Sequence, residues 1–231
     1  MIALPKGKRL VRKSYEVFSS IGYISTELEE ELKNAQGKRL EFTTDDKSVV
    51  YLLARASDIP QYIDKNWADL GVSAFDCYRE YELANIAKSG SMRGDNFSSD
   101  IFQDLKLCPT ARFCVAGKPE QLKNYKKSIE SNEKILSVAS TCPHIAMNYF
   151  TKKGMTVDII TIAGSSEIMP RYAEVDAIFD IVETGSALSE NGLVIFEEAY
   201  KIETKILASK AAIKYDQNVL RMIERLREVY A

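Results

Sequence analysis

The chain has 231 residues, of which 45% are hydrophobic and 28% charged, and its formal net charge is −2. This composition is typical of a globular protein, and the length suffices for one large or two small domains. The nearly balanced charge gives no basic surface for nucleic acid, and no apolar run reaches the ~18 residues that a membrane-spanning helix needs. Because the first residues also lack the pattern of a signal peptide, we expect a cytoplasmic protein that binds neither nucleic acid nor membrane.

The cysteines and the single histidine give little support to metal or nucleophilic chemistry. None of the four cysteines belongs to a Cys-x-x-Cys pair, so we expect reduced structural thiols rather than metal ligands or disulfides. His144 follows Pro143 at a predicted helix start, which is more consistent with a local polar role than with a catalytic triad.

Strand and helix patterns alternate along most of the chain. Apolar runs predict strands at residues 2–4, 39–43, 49–53, 68–72, 112–116, 134–139, 156–162 and 177–182. Helical spacing of apolar residues predicts helices at 10–21, 57–63, 143–153, 164–173 and 211–230. Residues 193–208 are predicted to be largely extended, and the polar segment 88–100 predicts a mobile loop near a domain boundary. Such alternation is typical of an α/β fold with mostly parallel sheets.

Three cations lie where a predicted strand gives way to a helix. Lys6 and Arg9 follow the first strand, and Arg55 stands just ahead of the helix that begins near residue 57. Cations beside the free N–H groups of a helix start favour an anion, although a solvated basic loop is the alternative. Gly71, inside the strand at 68–72, permits the close approach of a backbone or a ligand.

The stretch from Asp176 to Leu188 is the most informative part of the sequence. A near-continuous apolar strand is followed by the small residues Thr184-Gly185-Ser186 and a short helical segment. Backbone N–H groups at such a turn point outward, and a glycine lets an anion approach them closely. The pattern therefore predicts a phosphate-binding turn.

Acidic residues in the same stretch restrict what the phosphate can belong to. Asp176, Asp180 and Glu183 would repel a bare phosphate, but they fit a ligand that also carries hydroxyl groups or Mg²⁺. A ribose 5-phosphate has this combination of groups. The alternative is an ordinary buried strand whose acidic residues are solvated.

Three successive strand-to-helix turns carry serine or threonine, at residues 140–141, 165–166 and 184–186. Ligands of open α/β sheets bind at the carboxyl ends of the strands, where these turns are expected to lie together. One capping hydroxyl of this kind is routine, but three in succession favour a shared binding site.

These motifs together resemble the short form of the ATP phosphoribosyltransferase family, which opens histidine biosynthesis. The resemblance begins at Leu4-Pro-Lys-Gly-Lys-Arg-Leu10, continues in Arg55-Ala-Ser-Asp-Ile-Pro60 and Ala68-Asp-Leu-Gly-Val72, and ends in the phosphoribosyl pyrophosphate motif at residues 176–188. It covers nearly the whole chain.

The resemblance implies a two-lobed fold like that of a type II periplasmic binding protein, with an active-site cleft between the lobes. The first lobe is expected to comprise residues 1–104 and 186–231, and the second, phosphoribosyl pyrophosphate-binding lobe residues 105–185. The implied reaction joins N1 of ATP to C1 of phosphoribosyl pyrophosphate, with Mg²⁺ as cofactor. The short form also implies a homodimer without a C-terminal regulatory domain, and a separate regulatory partner resembling histidyl-tRNA synthetase.

The family motifs assign residues to three roles. Arg55 and Asp180 are the candidate catalytic residues. Phosphoribosyl pyrophosphate is expected to contact Ser140, Thr141, Asp176, Asp180, Glu183, Thr184, Gly185, Ser186, Ala187 and Leu188. ATP is expected to contact Lys6, Arg9, Arg55, Asp69, Gly71, Ser165 and Glu167. No protein ligand for the metal is indicated.

The chain departs from the family pattern at Ala74, Cys142, Ala163 and Ala187. At Ala187 a threonine hydroxyl is replaced, which predicts weaker phosphate binding because the backbone donors remain. These departures keep two alternatives open. One is a non-catalytic cytosolic ligand-binding paralogue of the same fold, and the other is a phosphoribosyltransferase for another base.

Overall fold

A computed structural model describes residues 1–34, 39–90, 96–99, 101–102, 104–131 and 135–230, but not the side chains of Lys8 and Arg9. The chain forms two compact units: Met1–Leu107 with Glu203–Ala231, and Cys108–Ile202. The sequence predicts that the chain returns to the first unit at residue 186, and this boundary is wrong. Residues 186–202 belong to the second unit, because the strand at Val194–Lys201 pairs along that unit's sheet.

The described part of the first unit is a six-stranded sheet covered by helices, with strand order β2-β3-β1-β4-β11-β5. Its strands are β1 (Ile2–Pro5), β2 (Glu41–Thr43), β3 (Val50–Ala54), β4 (Leu70–Ala74), β5 (Phe97–Ser98) and β11 (Thr204–Ser209). Its helices are α1 (Lys8–Ser19), α2 (Thr26–Asn34), α3 (Ile59–Asp64), α4 (Phe75–Ser89), α9 (Lys210–Tyr215) and α10 (Gln217–Tyr230). A 3₁₀ turn at Ala56–Asp58 leads into α3.

Only the central strands of this sheet are parallel. β1 pairs in parallel with β3 and with β4, whereas β2, β5 and β11 run antiparallel to their neighbours. The carboxyl ends of β1, β3 and β4 therefore lie at one edge of the sheet. Hydrophobic side chains fill both faces, with Tyr51 and Phe18 in one core cluster and Ile59 and Leu207 in another.

The described part of the second unit is a five-stranded sheet with strand order β10-β6-β9-β7-β8. Its strands are β6 (Arg112–Gly117), β7 (Leu136–Ser140), β8 (Val157–Thr161), β9 (Ala177–Val182) and β10 (Val194–Lys201). Its helices are α5 (Leu122–Ser131), α6 (Pro143–Lys152), α7 (Met169–Tyr172) and α8 (Ser186–Glu190). Short 3₁₀ turns at Pro119–Gln121 and Ser166–Ile168 precede α5 and α7.

In the second sheet β9, β7 and β8 are mutually parallel, whereas β6 runs antiparallel to both of its neighbours, β9 and β10. Their carboxyl ends, at Val182, Ser140 and Thr161, lie at one edge. Phe113 of β6 stacks on Phe179 of β9 with ring centroids 5.0 Å apart. The predicted α/β class is thus confirmed, with sheets that are mixed rather than mostly parallel.

Two further expectations differ from the structure. The single predicted helix at 211–230 is two helices, because Asp216 is extended and its carboxylate accepts the N–H of Asn218 at 2.8 Å, starting α10 afresh. Within the predicted loop 88–100, α4 continues to Ser89 and β5 pairs with β11. Residues 91–95 and 100 of that loop lie outside the described part of the chain.

No disulfide joins the four cysteines, all of which lie in the described part of the chain. Burial raises the pKa of the Cys114 thiol on β6, which keeps it protonated and unreactive. Across the described ranges, no helix has both the length and the apolar character needed to span a membrane.

Candidate functional site

The three hydroxyl-bearing turns of the second unit come together at the carboxyl edge of its sheet. They follow β7, β8 and β9, which are neighbouring parallel strands. A pocket of about 200 Å³ lies at this edge. It is lined by Ser166, Glu167, Ile178 and residues 180–188. The turns after both β8 and β9 therefore contribute to it. The structure thus places these turns at one edge of the sheet, as the sequence predicts.

The loop at residues 184–188, the phosphate loop, has the local geometry of an anion site. Gly185 adopts a left-handed conformation, with φ +81°, immediately before α8. The Thr184 and Ser186 hydroxyls lie 3.0 Å apart and are exposed, as is Ala187. The Ser186 N–H donates to Thr184 Oγ1 at 3.4 Å, whereas the N–H groups of Ala187 and Leu188 have no intrahelical acceptor and are available as donors. Leu188 is buried and anchors the short helix to the core.

A charged group stands beside the phosphate loop in the same pocket. Asp180 is half-buried on β9, and its Oδ1 accepts hydrogen bonds from Thr141 Oγ1 at 2.9 Å and from Ile181 N–H at 2.7 Å. Ser140 is fully buried, and its hydroxyl accepts the N–H of Cys142 at 3.0 Å. Ser140 therefore shapes the turn after β7, and its side chain does not reach the pocket.

The turn after β8 supplies a second carboxylate to this pocket. Ser165 has a left-handed backbone with φ +51°, which turns the chain so that Ser166 and Glu167 line the pocket. A left-handed non-glycine residue is uncommon and marks a backbone held by its surroundings. The sequence assigns Ser165 and Glu167 to ATP, whereas the structure brings Glu167 to the phosphate loop.

Glu183 and Asp176, the remaining acidic residues of the motif, lie at different ends of β9. Glu183 is exposed and lines the pocket next to the phosphate loop. Asp176 precedes β9, at the end of the strand away from the loop, and its carboxylate accepts the N–H of Ser137 at 3.0 Å. The structure therefore does not bring Asp176 to the pocket, and its carboxylate instead joins the starts of β9 and β7.

Lys6 and Arg55 share the carboxyl edge of the first sheet. Register pairs Pro5 with Ala54, so the two cations follow neighbouring parallel strands, and Lys6 N–H donates to Ala54 O at 2.9 Å. Both side chains are exposed, and neither has an ion-pair partner within the described part of the chain. The structure describes the backbone of Arg9 in α1, but the predicted role of its side chain lies outside the described atoms.

Asp69 and Gly71 lie away from these cations. Asp69 is at the start of β4, where its carboxylate pairs with the amino terminus of Met1. A Cβ on Gly71 would come within 2.7 Å of Ile59 Cγ2, so the glycine admits helix α3 rather than a nucleotide. The close approach expected at Gly71 is real, but the approaching group is a side chain of the core.

Sequence reasoning missed Ile178 and Ile181 among the residues that line the pocket. It also missed Gly7, which stands between Lys6 and the first turn of α1 with open space where a Cβ would lie. The signal for Gly7 was present, since a glycine between a strand and a helix is suited to close anion approach. Ile181 carried no such signal, because an isoleucine in an apolar strand gives no indication in the sequence that 37% of it is exposed.

The described residues do not form a protein cage for a metal ion. No group of three or more His, Cys, Asp or Glu side chains in the described ranges is placed to hold one. Asp180 and Glu167 do line one pocket, and two carboxylates are enough when phosphate oxygens supply the other ligands of Mg²⁺. The residues present therefore fit a magnesium ion that arrives with a phosphorylated ligand.

The fold places the chain in a class of two-unit α/β proteins. It superposes with a TM-score of 0.53 on a Candida albicans protein described as having the generic periplasmic binding protein fold, covering 98% of this chain and 69% of that one at 11% identity. It superposes with a TM-score of 0.65 on the ATP phosphoribosyl transferase (HisG:HisZ) complex from Thermotoga maritima, covering 99% and 97% of the two chains at 23% identity. The predicted periplasmic-binding-protein type of fold is confirmed.

Sequence comparison is more specific. The family model for ATP phosphoribosyltransferase matches residues 55–228. ATP phosphoribosyltransferases of Bacillus cereus and Bacillus thuringiensis are 37% and 36% identical to the chain, each over 98% of this chain and 94% of the relative. The chain belongs to the ATP phosphoribosyltransferase family. This membership confirms the predicted family, the transferase class and the predicted first step of histidine biosynthesis.

Proposed function

We propose that this chain joins the 5-phosphoribosyl group to N1 of ATP and that the phosphate loop holds the 5-phosphate during the transfer. The observation that carries this assignment is the pocket that unites the loop with Asp180. A phosphate on the loop's N–H groups and a ribose beside a carboxylate satisfy both kinds of group in that pocket.

The reaction requires positioning and electrostatic stabilisation more than proton transfer. The bond between C1 of the ribose and the pyrophosphate oxygen breaks with its electron pair leaving on oxygen, and adenine N1 supplies the pair for the new bond. Positive charge develops on the sugar and negative charge on the leaving group. The Asp180 carboxylate is placed to accept ribose hydroxyls and to stabilise the positive sugar, and adenine N1 needs no general base.

The cations of the first unit serve the phosphates of the other substrate or of the leaving group in this proposal. Lys6, Arg9 and Arg55 are assigned to ATP phosphates or pyrophosphate. The exposure of Lys6 and Arg55 at one strand edge supports this assignment, since neither is neutralised by a described carboxylate. Asp69, Gly71 and Asp176 are left out, because each already has a packing or pairing role.

Mg²⁺ enters the proposal with phosphoribosyl pyrophosphate, as part of the substrate. Glu167, Asp180 and Glu183 all line the pocket and add negative charge beside the phosphate loop. A magnesium ion bound to the pyrophosphate would offset this negative charge. We assign Glu167 to the phosphoribosyl side of the reaction on the same ground.

We also propose that this chain has a regulatory partner and forms a homodimer. The similar structure from Thermotoga maritima is a HisG:HisZ complex, which supports a regulatory partner for this chain. We expect this partner to resemble histidyl-tRNA synthetase. A homodimer of the catalytic chain is retained from the sequence. A cytoplasmic location fits a reaction that starts from ATP and phosphoribosyl pyrophosphate.

The test offers the purified chain phosphoribosyl pyrophosphate and Mg²⁺ with ATP, free adenine, orotate or hypoxanthine, and measures pyrophosphate release. Release with ATP alone, accompanied by a product phosphoribosylated at adenine N1, is the expected result. Release with another base would favour the alternative transferase. Substrate binding without release in any mixture would favour the non-catalytic paralogue.

A further inference from the structure

Thr141 and Asp180 are joined across two parallel strands by their register. β7 and β9 pair Ala139 with Ile178 and Ser140 with Phe179, so the next residues, Thr141 and Asp180, stand side by side. The hydroxyl of Thr141 donates to Asp180 Oδ1 at 2.9 Å. Thr141 is half-buried, and its hydroxyl is committed to a carboxylate of the same sheet edge.

The two oxygens of Asp180 have different surroundings. Oδ1 accepts the Thr141 hydroxyl and the N–H of Ile181, whereas Oδ2 accepts no hydrogen bond from the described residues. Asp180 itself lines the pocket beside the phosphate loop. Two donors on one oxygen fix the rotation of the carboxylate and leave the other oxygen with its acceptor capacity unused.

The turn that carries Thr141 is itself held from inside the protein. The fully buried Ser140 accepts Cys142 N–H at 3.0 Å through its hydroxyl, and its carbonyl accepts Ile162 N–H at 3.0 Å. These bonds tie the turn after β7 to its own helix start and to the neighbouring β8. The position of the Thr141 hydroxyl is thus set by a rigid element, as an orienting residue requires.

We propose that Thr141 is a positioning residue, which holds Asp180 so that Oδ2 accepts a hydroxyl group of the ribose. Thr141 acts through Asp180 and does not touch the ligand. This inference rests on the proposed function only for the identity of the sugar, because the Thr141–Asp180 bond is a feature of the pocket itself. It predicts that the loss of Thr141 affects the ribose and spares the phosphate.

The experiment measures the affinity of the full chain for ribose 5-phosphate and, separately, for inorganic phosphate by calorimetry. The variants are Thr141→Val, Thr141→Ala, Thr141→Ser, Asp180→Asn and the double variant Thr141→Val with Asp180→Asn. Thr151→Val, an exposed position on α6, is the matched control for the substitution. Thermal melting establishes that each variant is folded.

The expected result is a loss of about tenfold in ribose 5-phosphate affinity in Thr141→Val and Thr141→Ala, because a carboxylate that is free to rotate must be ordered when the ligand binds. Thr141→Ser restores the affinity, the control leaves it unchanged, and inorganic phosphate binds equally to wild type and Thr141→Val. In the Asp180→Asn background, Thr141→Val causes no further loss, since the two residues act as a unit.

Three results would overturn the inference. One is unchanged ribose 5-phosphate affinity in both variants that lack the hydroxyl. Another is an equal loss for inorganic phosphate, which would mean that Thr141 supports the phosphate loop itself. The third is the same further loss in the Asp180→Asn background, which would mean that Thr141 acts independently. A wild-type chain that binds ribose 5-phosphate but never phosphoribosylates ATP would refute the proposed function. The comparison of Thr141→Val in the wild-type and Asp180→Asn backgrounds would still test the role of Thr141.

Discussion

The side chain of Ile59 lies directly against the backbone of Gly71. A Cβ built on Gly71 would be 2.7 Å from Ile59 Cγ2 and 3.2 Å from Ile63 Cδ1. Both isoleucines are fully buried on α3, and Gly71 is the second residue of β4. The glycine therefore sets how closely this helix packs on the first sheet.

Gly71→Ala is expected to destabilise the protein without abolishing its binding of phosphoribosyl pyrophosphate. Overpacking a filled core of this kind costs about 1–3 kcal/mol. The measurement is the free energy of unfolding in urea, with Gly7→Ala as control because nothing lies within 4 Å of a Cβ at Gly7. Equal stability of the two variants would show that α3 can move to admit the methyl group.

Arg55→Ala is expected to lower turnover far more than stability. A contact to a phosphate that gains charge in the transition state contributes about 2–4 kcal/mol, or roughly 30- to 1000-fold in rate. The control is Arg39→Ala, which removes an exposed ion pair of 2.8 Å with Glu27 worth about 0–1 kcal/mol. If Arg55→Ala turns over ATP as fast as the control, Arg55 is an ordinary surface cation.

Acid sensitivity is expected to depend on Glu197 of β10. Its carboxylate accepts hydrogen bonds from Lys153 Nζ and from Tyr125 OH, the latter at 2.6 Å. Burial by itself raises the pKa of Glu197, but the hydrogen bonds from Lys153, Tyr125 and Tyr149 outweigh it and lower that pKa. Burial, together with the same carboxylate, raises the pKa of Tyr125 and Tyr149, which remain protonated donors.

The lowered pKa fixes the sign of the pH effect. In the unfolded chain the carboxylate takes up its proton near pH ~4.3, whereas in the folded protein it does so only at lower pH. The stabilisation of the folded protein by the ionised carboxylate is therefore present above that pH and is lost as the pH falls through the lower folded pKa. Glu197→Gln is expected to cost about 1.5–3 kcal/mol near neutral pH, the range for hydrogen bonds to a charged group, and much less in acid. Glu198→Gln, which loses an exposed bond to Arg112, is the control for urea unfolding across this range. A pH-independent difference between wild type and Glu197→Gln would contradict the assignment.

Because we propose a separate regulatory partner, we expect histidine alone to have little effect on the activity of the purified chain. Allosteric inhibition requires a second site and a coupled change of state, and in the proposal the partner supplies them. Activity is titrated with histidine in the absence and presence of the partner. Full inhibition by histidine without any partner would place the effector site in this chain.

The turn at residues 184–188 could be predicted from the sequence because its determinants are local, while its binding of phosphate stays a prediction. A glycine that must adopt a positive φ, flanking hydroxyls and a preceding apolar strand are all readable in one short segment, and Gly185 has φ +81° as such a turn requires. The grouping of the turns after β7, β8 and β9 was equally predictable, since parallel strands bring their carboxyl ends to one edge.

The errors concern pairing between distant parts of the chain. β9 spans the six residues Ala177–Val182, and at ~3.3 Å per residue such a strand separates Asp176 from the loop by roughly 20 Å. A motif that is continuous in sequence therefore contains one residue that belongs to the other end of the sheet. The pairing of β10 with β6 and the packing of Ile59 on Gly71 depend on tertiary contacts that no local pattern carries.

We propose that the phosphate loop holds phosphoribosyl pyrophosphate in an enzyme that transfers its sugar to ATP. Gly185→Asp places a side chain and a negative charge at the anion, and Gly192→Asp is its control, because Gly192 ends the same short helix with φ +70° and open space around it. Either substitution strains a left-handed backbone by a similar ~1–2 kcal/mol, so the two variants should be equally stable.

The most direct measurement follows the ultraviolet change on adenine N1 substitution when ATP, phosphoribosyl pyrophosphate and Mg²⁺ are mixed with wild type, Gly185→Asp or Gly192→Asp. We expect product from wild type and from Gly192→Asp, and none from a folded Gly185→Asp that also fails to bind phosphoribosyl pyrophosphate. Product formation by Gly185→Asp at the rate of Gly192→Asp, or the absence of product from the wild-type chain, would contradict this proposal.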